Sequence, residues 1–240
     1  MKRRDFLIAS GSAAGLLVPA AAALAKPCPQ PTMGATGGTS VTAACGSGKS
    51  YTTNFPLTEN PISEGGVWTH AGSSWSKVQT LGGFACGTQT GSGGYNDSYA
   101  HLSGFGADHT ASAIIKKDSG LQNFHECELH LRWNDTSSTA SGYECNIAYN
   151  GEYCQIVRWE GGFGSFTELK KANGVTAPQT GDVFKASIVG SLIIVSMNNV
   201  EIIRASDTTW PTGNPGMGFY IESTTNNQGF GFSSFTATST

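Results

Sequence analysis

The pair Asn150-Gly151 falls between two runs in which apolar and polar residues alternate, 141–149 and 153–159. Asn-Gly readily supplies the positive φ values of a tight type I′ hairpin turn, and period-two alternation marks half-buried strands. Comparable runs recur along the chain at 84–89, 98–102, 110–116, 125–133, 166–170, 183–189, 192–197, 200–205, 217–222 and 230–238. Asn198-Asn199 and Gly190-Ser191 offer further turns between neighbouring runs. No helical period of three to four residues appears after the first 25 residues. A dozen short strands without helices predict an all-β fold, either a two-sheet sandwich or a barrel.

Composition agrees with that reading. The chain holds 32 glycines and only 13% charged residues, which suits short strands joined by tight turns. Residues 51–240 are enough for one domain with a full core. Residues 26–50 are rich in Pro, Gly, Ala, Ser and Thr and read as a flexible leader. Its Gly46-Ser47-Gly48-Lys49-Ser50 imitates the end of a phosphate-binding loop, but Ala43 replaces the first glycine and no strand or helix pattern frames it.

Residues 1–25 have the form of a twin-arginine export signal. Arg3-Arg4-Asp5-Phe6-Leu7 precedes a weakly apolar run, and Ala23-Leu24-Ala25 offers a small-x-small cleavage site. Interruption by Ser10, Gly11, Ser12, Gly15 and Pro19 argues against a spanning helix, so no membrane insertion is expected after the signal is removed. The expected location is periplasmic or secreted. Loss of Lys2, Arg3, Arg4 and Asp5, net +2, takes the formal charge from −3 to −5. An acidic chain with scattered Lys and Arg lacks the footprint of a nucleic-acid binder. All six cysteines, Cys28, Cys45, Cys86, Cys127, Cys145 and Cys154, follow the signal. An even count in an oxidising compartment predicts up to three disulfides, with Cys28–Cys45 the favoured pair. Zinc is not expected, because no Cys-x-x-Cys or Cys/His spacing supports it.

The C-terminal half carries an ordered set of motifs: Gly181-Asp182 opening a run, Asn198-Asn199 at a turn, Gly213-Asn214-Pro215-Gly216-Met217-Gly218-Phe219-Tyr220, and a closing Phe230-Gly231-Phe232-Ser233-Ser234-Phe235. Their order resembles the concanavalin A-like lectin/glucanase superfamily in its laminin-G-like bacterial form. The resemblance covers most of the chain after Tyr51 and implies a jelly-roll of two curved antiparallel sheets. It also implies a glycan groove on the concave sheet face, and allows calcium without any acidic loop here to specify it; no other cofactor is expected. That superfamily contains lectins, hydrolases, lyases and adhesion modules, so fold alone does not choose among them.

Alternation assigns the faces. With the turn at Asn150-Gly151, Ile147 faces Cys154 and Cys145 faces Ile156 on the core side. Glu144, Asn146, Tyr153, Gln155 and Trp159 then share the opposite face. In 125–133 the apolar set is Cys127, Leu129, Leu131 and Trp133, which leaves Glu126, Glu128, His130 and Arg132 beside them. A solvated sheet face alternates in the same way. An unbroken ionisable row in a charge-poor chain, flanked by aromatic rings suited to sugar C–H faces, favours a glycan partner instead.

Three readings of that surface remain open. A carbohydrate-binding domain would stack sugars on Tyr153 and Trp159 and hydrogen-bond them through Arg132, Glu144, Asn146 and Gln155. An enzyme would use the same surface. A polysaccharide lyase needs a base such as His130 or Tyr153 with Arg132, Asn146 and Gln155 neutralising a uronate. A glycosidase needs two carboxylates about 5 to 9 Å apart, for which Glu126 and Glu128 are candidates. The hydrolase and alginate-lyase signatures of the superfamily are absent. The third reading is a non-catalytic adhesion domain. Glu126, Glu128 and His130 are also metal-ligand types, although such rows on strands are usually solvated. Trp68, Trp75 and Trp210 read as edge packing, and His70, His101 and His109 as structural or surface residues. No Gly-x-Ser-x-Gly elbow is present.

Overall fold

A computed structural model of the chain describes residues 48–89, 95, 97–121, 123–222 and 227–240. The expected export signal, nearly all of the expected leader, and Cys28 and Cys45 lie outside the described residues. Among the described residues sixteen strands follow in order. The first six are short: β1 (Ser50–Thr53), β2 (Thr58–Glu59), β3 (Ser76–Lys77), β4 (Gln79–Leu81), β5 (Ala85–Cys86) and β6 (Ser98–His101). Next come β7 (His109–Lys117), β8 (His125–Asp135), β9 (Ala140–Ala148), β10 (Tyr153–Gly161) and β11 (Phe166–Asn173). The last five are β12 (Val183–Val189), β13 (Leu192–Met197), β14 (Val200–Ser206), β15 (Asn214–Ile221) and β16 (Phe230–Ser239). Among the described residues, helix is limited to one 3₁₀ turn, Asn227–Gly229, and no helix is long and apolar enough to cross a membrane.

The strands form two sheets packed as a jelly-roll sandwich. One runs β14-β13-β12-β7-β16-β5-β4-β2 with β1 added against β16, and the other runs β11-β10-β9-β8-β15-β6-β3. Pairing is antiparallel except for the short β3–β6 contact. Between the sheets, Cys127, Leu129, Cys145 and Ile156 meet Ala113, Phe184, Val195 and Phe235, all fully or almost fully buried. Face-to-face packing of this kind is expected when each sheet buries every second residue.

Two turns differ in kind. Asn198 and Asn199 both adopt left-handed φ values, 52° and 64°, as a type I′ turn requires. At the Asn150-Gly151 turn only Gly151 does so, at 74°. That connection is a four-residue loop in which Asn150 Oδ1 accepts from Glu152 N, yet the register keeps Cys154 opposite Ile147 and Ile156 opposite Cys145. A side chain at Gly151 would strike Val175 O at 2.3 Å and Ala177 N at 2.7 Å. Glycine there serves close packing as much as the turn.

The disulfide expectation is corrected for four of the six cysteines. Cys86, Cys127, Cys145 and Cys154 are buried free thiols. The register gives each of the last three an aliphatic partner: Cys127 and Cys154 face Ile147 from opposite sides, and Cys145 faces Leu129 and Ile156. These residues serve as small apolar side chains in the core.

Candidate functional site

The registers of β8, β9 and β10 assemble one polar surface on the outward side of the seven-stranded sheet. His130 stands opposite Glu144 and Glu128 opposite Asn146. Gln155 flanks Asn146 from the other side, and Val157 flanks Glu144. Glu126, Glu128, His130, Glu144, Asn146, Tyr153, Gln155 and Trp159 therefore share a face, with the thiols behind them. This is the grouping that alternation predicts.

Arg132 does not belong to it. The register slips by one residue between Leu131 and Asn134, and Arg132 sits in a left-handed conformation at φ 48°. This β-bulge rotates the following residues by one step. Arg132 turns away and donates to Ala107 O, Trp210 O, Gly190 O and Asp108 Oδ1. Trp133, expected in the core, swings to the polar face instead and stacks on His130 with 3.9 Å between centroids. Glycines make the space. A Cβ on Gly142 would lie 2.8 Å from Arg132 O, and one on Gly213 only 2.2 Å from it.

Hydrogen bonds knit the face together. Glu144 accepts from Asn146 Nδ2 at 2.7 Å and from Trp159 Nε1 at 2.6 Å. His130 Nε2 lies 3.3 Å from Glu128 Oε2. Tyr153 OH donates to Glu126, and Gln155 Nε2 donates to Glu168 at 2.5 Å. Lys171 Nζ sits 4.3 Å over the Tyr153 ring. Glu128, His130 and Glu144 bring one donor atom each within 4.8 Å of one another. Burial pushes the His130 imidazole down to about 3, against the opposing pull of Glu144, so the ring is neutral at pH 7.

The surface is far from a solvated one. Glu128 and Asn146 are 0% exposed, and Glu126, His130, Glu144, Gln155 and Trp159 are 1% exposed. Rings close both ends: Trp75, Tyr99, Trp133 and Trp159 pack together on one side, and Phe124, Tyr153 and Tyr220 on the other. Phe163, 47% exposed, continues the first cluster outward through Trp75 at 5.2 Å. Trp159 meets Trp75, Trp133 and Phe166 edge-on or tilted, so its indole is held for the hydrogen bond to Glu144.

Sequence reasoning missed Trp75, Tyr99, Trp133, Tyr220 and Gly218 as members of this surface. Only the bulge brings Trp133 over, and Trp75 arrives through a long-range contact that local spacing does not encode. His101 also gains an acid partner, Asp135, at 2.9 Å, from 34 positions away. Asp135 further accepts from Tyr99 OH and Ala71 N, which makes this cluster a structural brace.

No family model matches the chain, and no curated protein matches it. Solved structures do. The Emp46p carbohydrate recognition domain, metal-free form, superposes with a TM-score of 0.53 at 10% identity, covering 77% of this chain and 94% of that one. The exoplasmic/lumenal domain of VIP36, metal-free form, gives 0.51 at 11% identity over 80% and 91% of the two chains. A GH43 protein from Bacillus licheniformis gives 0.50 at 12% identity, covering 79% of this chain but 39% of that one. At such identities the likeness concerns the fold alone: this chain is an all-β jelly-roll sandwich.

Proposed function

We propose that the mature protein is an exported glycan-recognition domain whose binding surface is the outward face of the seven-stranded sheet. The observation that carries this reading is the gathering of Glu128, His130, Glu144, Asn146 and Gln155 between two aromatic clusters. Carboxylates and amides take hydroxyl hydrogen bonds, and rings pack on sugar C–H faces. Glu144, held from two sides by Asn146 and Trp159, is the fixed acceptor. Tyr153 and the Trp75–Phe163 edge supply apolar contact. The twin-arginine-like start supports export, and the fold shared with a carbohydrate recognition domain supports the ligand class. Retention on insoluble polysaccharides, lost on substitution of Glu144, tests the proposal. Retention that survives this substitution contradicts it.

A second reading, glycan cleavage at the same place, is favoured by one observation. Donor oxygens of Glu128 and Glu144 lie within 4.8 Å of each other, near the roughly 5 Å separation of a retaining glycosidase pair. These two therefore suit an acid/nucleophile pair better than Glu126 and Glu128. A lyase reaction would use neutral His130 or Tyr153 as base, with Lys171 taking the place of the diverted Arg132 near the uronate. Reducing-end release reports hydrolysis, and absorbance near 235 nm reports the unsaturated lyase product. Retention without either signal leaves recognition as the function.

A further inference from the structure

We propose that Glu128, His130, Glu144 and Asn146 form a binding site for a divalent first-row transition ion. The four residues are almost wholly buried on one face of β8 and β9. One donor atom from each of Glu128, His130 and Glu144 lies within 4.8 Å of the other two. Ligands at about 2.1 Å from an ion stand roughly 3 to 4 Å apart, so small side-chain rotations close the set. One imidazole with two carboxylates suits Mn²⁺ or Zn²⁺ better than the all-oxygen sets that calcium prefers.

Two independent features point to a ligand. Asn146 Nδ2 donates to Glu144, which fixes the amide orientation and leaves Oδ1, fully buried, without a hydrogen-bond donor. Burial without a partner is costly for an amide oxygen, and an ion would satisfy it. The second feature is Gly218 on the neighbouring strand. A Cβ there would lie 2.4 Å from Glu128 Oε2 and 2.8 Å from His130 Nε2. Those two ligand atoms converge over a position kept clear by glycine. The Trp133 indole, stacked at 15° to the His130 ring, holds the imidazole in that orientation.

The ion would share Glu128, His130, Glu144 and Asn146 with the glycan-recognition surface, but its binding is measured without any sugar, so either can fail without the other. The full chain, stripped with EDTA, would be titrated calorimetrically with Mn²⁺ and separately with Zn²⁺. One ion per chain is expected for at least one of the two metals. Glu144→Gln, His130→Gln and Gly218→Ala should each weaken binding at least tenfold while circular dichroism in EDTA matches the parent. If those variants fail to fold, Asn146→Ala, with a smaller expected loss of about threefold, and the Mn²⁺ electron spin echo of the unsubstituted protein decide. Modulation from a directly bound histidine nitrogen is expected. Absence of binding by both metals, unchanged affinity in the folded variants, or bound Mn²⁺ without nitrogen modulation would overturn the proposal.

Discussion

His130 stacks face to face on Trp133, 3.9 Å between centroids and 15° between planes, although residues three apart on an unbroken strand emerge on opposite sides. The one-residue bulge at Arg132 is what brings the two rings together. It sends the guanidinium to the opposite side, where it ties three loop carbonyls and Asp108. Its cost in left-handed backbone is offset by those hydrogen bonds.

Arg132→Ala should accordingly lower stability by about 3 kcal/mol, from loss of charged hydrogen bonds to carbonyls left without a donor. Folded Arg132→Ala protein should hold glycan as well as the parent does. Chemical denaturation and polysaccharide retention measured side by side check both halves. A large loss of retention in folded protein would return Arg132 to the binding surface.

His109 should make the fold acid-sensitive. Its Nε2 accepts from Arg132 N and its Nδ1 donates to Gly106 O, an arrangement only the neutral ring can make. Burial pushes it down to about 4 from its ordinary value near 6.5, and burial does the same to His125. The unfolded chain binds more protons in that interval, so stability is intact above about pH 6.5 and falls as pH drops towards 4. Denaturation midpoints across that range should decline, and His109→Gln should flatten the decline by about one proton's worth of slope. An unchanged slope would show that His109 does not carry the effect.

Thiol chemistry separates the core cysteines from the leader. In a Cys28→Ser/Cys45→Ser chain, native protein should show no rapid reaction with a thiol reagent, because burial pushes Cys86 and Cys154 up to about 12 and seals Cys127 and Cys145 in the core. Four thiols should titrate after unfolding without reductant. A lower count would reveal a bond among them.

Trp159→Phe removes one donor from Glu144 while leaving most of the ring packing. Loss of that hydrogen bond, about 1 kcal/mol, should weaken glycan retention by roughly fivefold. Depletion isotherms on an insoluble polysaccharide check it. An unaltered isotherm would mean that Trp159 serves packing alone.

Much of this architecture was legible in the residues. Alternation in 141–149 and 153–159, with the turn at Asn150-Gly151, was enough to place Glu144, Asn146 and Gln155 on one side and Cys145 and Cys154 on the other. Strict alternation then failed at Arg132 and Trp133, since nothing local announces an extra residue. Its supports, Gly142 on β9 and Gly213 just ahead of β15, come from distant parts of the sequence. The carboxylate nearest His130 across the register is Glu144, a neighbour in space 14 positions away, whereas Glu126 and Glu128 lie closest in sequence. Strands β1 to β5 hold two to four residues each, too few for a period to declare itself. Compartment chemistry favoured disulfides, but aliphatic partners across the register kept Cys127, Cys145 and Cys154 apart.

The most direct test compares dissociation constants on the best-retained polysaccharide for the parent, Glu144→Gln, and Lys185→Ala on the other sheet. Recognition by the polar face requires at least a tenfold loss for Glu144→Gln with Lys185→Ala unchanged. Equal affinity in all three, or a loss confined to Lys185→Ala, would place the binding surface elsewhere.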